Sequence, residues 1–141
     1  MNPQTGLATD YLNHFNEAVM LLEMIPDMPE CVEDFLAWRP LSYRDHFMAS
    51  GFQAKDLAIR AYDAAEPRLR AAFDDMTATM ITILTTTAAA MRHTRPAGTC
   101  AALAGQAAGQ VKPLLMLAAA LINGGRCAPD DVDRIMGQHP A

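Results

Sequence analysis

Apolar residues recur at intervals of three and four along almost the whole chain. Nowhere do β-branched residues alternate with polar ones between hairpin turns, so the pattern predicts an all-α protein. Leu12, Phe15, Val19, Leu22 and Ile25 mark one face of a first helix, with Thr9 or Asp10 placed to cap it and Pro26 to stop it. Pro29 suits the opening turn of a short second helix through Val32, Phe35 and Trp38, which Pro40 closes. Ser42 with Asp45 three residues on makes a capping-box variant for a helix from Tyr43 to Ala49, ended by Gly51. Lys55 to Ala65 forms a fourth, with Leu57, Ile59 and Tyr62 as its apolar positions.

Pro67 then opens the strongest periodicity. Leu69, Phe73, Met76, Met80, Ile83, Thr87 and Ala90 are separated by alternating steps of four and three, a seam that asks for a long helical neighbour at a shallow angle. Arg92 to Gly98 combines helix-ending cations, a proline and a glycine, and is expected to be an exposed antiparallel connection. Beyond it Ala101, Gly105 and Gly109 form a row of small residues that predicts close helix packing. Pro113 is expected to kink this helix rather than break it, since the carbonyl it would meet belongs to Gly109. Leu114 to Ile122 carry the helix to a stop at Asn123-Gly124-Gly125, and a last short helix opens at Pro129 with Val132, Ile135 and Met136 for docking. The pattern therefore predicts a single-domain bundle of about five to six helices over residues 1–141, with a short irregular aromatic-rich connection and a short C-terminal helix.

Charge narrows the partners. The 16 Asp and Glu outnumber the 11 Lys and Arg, a net charge of −5, so no positive field collects nucleic acid or an anionic membrane surface. Residues 76–91 lack charge but are shorter than the ~20 residues of a bilayer span, and residues 97–125 are interrupted by Gln106, Gln110, Lys112 and Pro113. No membrane span is expected. The first twenty residues carry no Lys or Arg ahead of their apolar stretch, which argues against a secretory signal and for a cytoplasmic protein. Cys31, Cys100 and Cys127 are widely spaced and unpaired in sequence, the usage of reduced packing thiols.

Candidate chemistry is sparse. His14 and Glu17 share a helix face, but a di-metal bundle needs Glu-x-x-His twice, so neither a metal nor another cofactor is expected. No nucleophile elbow or phosphate loop occurs, and no catalytic residue is assigned. The densest mixture of aromatic and polar groups runs from Trp38 to Phe52. Within it Trp38 and Tyr43 can wall a ligand, Arg39 and Arg44 can present guanidinium forks to an oxyanion, and His46 can move a proton. The same residues also suit a small satellite core in which Trp38 and Phe47 are anchors and Arg44 pairs with Asp45. Two function classes follow. The first is a non-enzymatic bundle acting by self-association, as a homodimer, or by gripping another protein; the second is a binding protein or enzyme for a small anionic or aromatic molecule, using the Trp38 to Phe52 cluster. Seven acidic and no basic residues between Asp10 and Asp34, against six basic and four acidic between Arg39 and Arg70, add a charge asymmetry that can steer association.

Overall fold

The computed structural model describes residues 5–49, 55–94 and 97–124, and every regular element among them is helical. A 3-10 turn (Thr9–Tyr11) leads into α1 (Leu12–Met24), followed by α2 (Cys31–Ala37), α3 (Tyr43–Ala49), α4 (Lys55–Asp63), α5 (Pro67–His93) and α6 (Ala97–Ile122). The expected stop at Gly51, Phe52, Cys127 and the short helix opening at Pro129 lie outside the described residues.

Local chemistry explains most boundaries. Pro67 occupies the first turn of α5, where its missing N–H costs nothing, and the Glu66 carboxylate accepts from the backbone N–H groups of Arg68 and Leu69. Ser42 Oγ accepts from Asp45 N at 3.1 Å, the expected cap of α3. Neither Thr9 nor Asp10 caps α1 as the sequence suggested. The chain enters α1 through the 3-10 turn, with no side-chain cap at Ala8 or Tyr11, and the Asp10 carboxylate reaches His46 instead.

The long α5 and α6 form the most extensive pairing, and the few residues between them force an antiparallel return. Helix α1 lies along α6, and α2 bridges α1 and α5, while α3 pairs with α4 and touches the 3-10 turn. The face expected on α1 is buried throughout: Leu12, Phe15, Val19, Leu22 and Ile25 all join the core. On α4 the expected face is only partly right, because Ala58 and Ile59 are buried whereas Leu57 is 49% exposed.

Three expectations for the hairpin change. The buried positions of α5 are Phe73, Met76, Thr77, Met80, Leu84 and Met91, so the core stripe drifts at the helical period of 3.6 and leaves Ile83, Thr87 and Ala90 half-buried at its edge. Arg92, His93 and Gly98, expected in the connection, are helical, and residues 95 and 96 lie outside the described residues. Gly105 and Gly109 are exposed, and a Cβ at either would meet nothing within 4 Å, so among the described residues no helix packs closely on these two glycines. The packed face of α6 is instead Cys100, Ala104, Ala107, Val111, Leu114, Ala118 and Leu121, spaced four and three throughout.

The start of the described chain is tied to the end of α6. Thr5 Oγ1 donates to the Ile122 carbonyl at 2.6 Å, closing one of the helix's orphan acceptors. Gly6 follows at φ +72°, and a Cβ there would lie 3.0 Å from the Ala61 carbonyl oxygen, so both the turn and the close approach to α4 require glycine.

Candidate functional site

The structure divides the Trp38 to Phe52 cluster among three environments. Tyr43 and Phe47, on the inner face of α3, are buried, with ring centroids 5.3 Å apart for Tyr11–Tyr43, 5.9 Å for Tyr43–Phe73 and 4.8 Å for Tyr43–Phe47. Tyr62 of α4 stacks on Tyr43 at 4.5 Å, and the Arg70 guanidinium lies 5.9 Å from the centre of the Tyr62 ring. Each phenol has a partner: Tyr11 donates to the Leu41 carbonyl at 2.6 Å, Tyr43 accepts from Ala8 N at 2.9 Å, and Tyr62 donates to the Asp74 carboxylate.

Burial is the first cause of a raised pKa at all three phenols. The Asp74 charge adds to it at Tyr11, and the Asp74 hydrogen bond and charge add to it at Tyr62. Protonated phenols of this kind hold the fold and are poor bases. His46 sits beside them, its Nε2 3.0 Å from Asp10 Oδ2 and its ring 5.5 Å from that of Tyr11. Tyr43 and His46 are thus knitted into the aromatic core, whereas Arg44 projects from the opposite side of α3 and is exposed. The expected Arg44–Asp45 pairing is not among the ion pairs of the described residues.

Trp38 and Arg39 go elsewhere. Trp38 stacks on His14 at 4.7 Å and donates from Nε1 to the His14 carbonyl, while His14 Nε2 lies 2.6 Å from the Arg39 carbonyl oxygen. His14 is therefore a strut between α1 and the α2–α3 connection. Beyond the indole, Trp38, Arg39, Leu84, Thr85, Ala88 and Arg92 line an open pocket of about 380 Å³ against α5. Arg92 was placed in an exposed loop by sequence; helix α5 carries it to this pocket. No motif announced the meeting, because it depends on how α2 crosses α5.

A concavity of about 460 Å³ lies between α5 and α6, walled by Thr79, Thr82, Ile83, Thr86 and Thr87 on one side and Leu103, Gln106 and Gln110 on the other. None of its lining residues carries a charge. Thr79, Thr82 and Thr87 donate their hydroxyl protons to carbonyls one turn back, at Asp75, Ala78 and Ile83, which leaves their oxygens free to accept. A second groove between α1 and α6, near 370 Å³, exposes Met20 by 56% and Met116 by 74% beside the Lys112–Glu23 ion pair.

Among the described residues no group of three or more His, Cys, Asp and Glu is placed to hold a metal, and no helix is long and apolar enough to cross a membrane. Cys31 and Cys100 are free and buried, and burial, followed by the Asp34 and Glu30 charges, pushes the Cys31 thiol up. No protein-family model, curated protein or solved structure matches the chain.

Proposed function

We propose that the chain is a non-enzymatic bundle that acts by self-association, two copies meeting across the α5–α6 face. The observation that carries this reading is the uncharged groove of Thr79 to Gln110 on a chain of net charge −5. Two such copies repel each other, so contact is favoured where the surface has no charge. A two-fold interface presents the same patch from both copies, and residues close to the axis meet their own counterparts, so a charge placed there is set against its like. Thr and Gln avoid that conflict. The threonine oxygens accept and the Gln106 and Gln110 amides donate, so the α5 wall of one copy complements the α6 wall of the other. The exposed Gly105 and Gly109, next to this wall, let a neighbouring backbone come close. We place this action in the cytoplasm, a setting in which Cys31 and Cys100 remain thiols.

Sedimentation equilibrium at micromolar concentration tests the proposal on the parent chain and on a Thr82→Lys/Thr86→Lys variant. Both positions are exposed, so the variant keeps its helical spectrum and melting temperature. The expected result is a parent dimer and a monomeric variant. A parent that stays monomeric as concentration rises, or a variant that dimerises equally well, overturns the reading.

A further inference from the structure

Two guanidiniums meet at the end of α2, and among the described residues no carboxylate is paired with either. Arg39 Nη1 donates to the Leu36 carbonyl at 2.7 Å and to the Trp38 carbonyl at 3.2 Å, and Arg92 Nη2 donates to the same Leu36 oxygen at 3.1 Å. Sharing one acceptor holds the two donor nitrogens within about 6 Å of each other, a distance at which like charges repel appreciably near a protein surface. The negative end of the short α2 offsets this only in part. Among the described residues neither arginine has an acidic partner.

Each guanidinium has five N–H donors, and among the described residues these contacts engage a single nitrogen on each side chain and leave most donors uncommitted. The same contacts fix where both groups sit. Capping α2 needs one cation; a second, brought from 53 positions along the chain by α5, adds charge that the helix end cannot neutralise. Apart from Thr85, whose hydroxyl donates to the Ile81 carbonyl one turn back, the remainder of the pocket is apolar, with the Trp38 indole, Leu84 and Ala88 as its walls.

We infer that Arg39 and Arg92 form a binding site for a small organic oxyanion, a carboxylate or phosphate carrying a flat apolar body that lies against Trp38. The anion takes the free guanidinium donors and relieves their repulsion, and the body displaces water from Leu84 and Ala88. This site is independent of the α5–α6 face proposed for self-association. It retains Trp38 and Arg39 from the cluster singled out in sequence and replaces Tyr43, Arg44 and His46 by Arg92.

Trp38 is the only tryptophan, so its fluorescence reports from the site itself. The probes are phenyl phosphate, benzoate and inorganic phosphate, titrated into the parent chain, Arg92→Gln and Ala88→Leu. The expected result is a saturable change with phenyl phosphate or benzoate, weakened roughly tenfold or more in Arg92→Gln, the worth of one charge-assisted hydrogen bond. Ala88→Leu fills the pocket and keeps both cations, so it weakens the aryl probes and leaves inorganic phosphate unchanged. No saturable response in the parent, or equal aryl affinity in Arg92→Gln, overturns the proposal. If Arg92→Gln melts early, Ala88→Leu decides alone, and unaltered aryl binding there overturns it as well.

Discussion

Tyr11 and Tyr43 are buried with their hydroxyls engaged inside the protein, and burial leads the causes that hold both phenols protonated above their ordinary range. A phenol whose pKa is raised by folding adds stability that is complete below its unfolded pKa, near 10, and is lost as pH climbs toward the folded value. The expected outcome is constant urea stability up to about pH 9.5, then a decline of up to about 1.4 kcal/mol per pH unit for each such phenol. Tyr62, less enclosed and partnered by Asp74, adds to the same decline. Denaturant unfolding across that range, followed beside the ultraviolet titration of tyrosinate, checks it; phenols that titrate near 10 with level stability would contradict the burial argument. Tyr11 stood out by no pattern, but Tyr62 was legible in sequence as an apolar position of its helix and Tyr43 as a member of the Trp38 to Phe52 cluster. Their partners were not, because the Leu41 carbonyl, Ala8 N–H and Asp74 carboxylate reach them only through the packing of α3 and α4 against the 3-10 turn and α5.

Helix α6 shows where element-level reasoning succeeds and where it misleads. Pro113 removes an N–H from its interior at a cost of about 3 kcal/mol, yet the helix runs unbroken from Ala97 to Ile122. Burial decides the contest: Val111, Leu114, Leu121 and Ile122 lie in the core on both sides of the proline, and such side chains contribute about 1.5–3 kcal/mol each. Pro113→Ala, at an exposed position, is expected to raise stability by roughly 1–3 kcal/mol, read as a higher urea midpoint with unchanged slope. Helix starts such as Pro67 and Ser42 were readable because their signals are local. The face of α6 was harder, since Ala is common on both sides of the helix and the eye follows glycine. The four-and-three spacing from Cys100 to Leu121 was present in the sequence and identifies the packed side, whereas the Gly105–Gly109 row lies on the outer one. On α5 the same spacing rule overreached, because an almost straight helix drifts off a 3.5 repeat and puts Leu84 and Met91 inward in place of Ile83 and Ala90.

At the scale of the molecule, the proposed self-association can be told from a charge-driven one by its response to salt. The acidic stretch of α1 and α2 exposes Glu17, Glu23, Asp27, Glu30 and Asp34, while Arg39, Arg44, Arg60 and Arg68 are exposed on the segments that follow. Two copies joined acidic side to basic side would be held by ion pairs, and added salt would loosen them. The proposed contact through the uncharged α5–α6 face would behave in the opposite way. It makes no ion pair, yet brings together two bodies of net charge −5, so screening removes repulsion and leaves the contact intact. The Debye length falls from ~10 Å at 0.1 M to ~3 Å at 1 M, enough to suppress most of that repulsion between surfaces. Dimerisation measured by sedimentation equilibrium in sodium chloride is therefore expected to tighten between those concentrations. A dimer that weakens as salt rises would place the contact on the charged surfaces instead, and Thr82→Lys/Thr86→Lys would then leave it undisturbed.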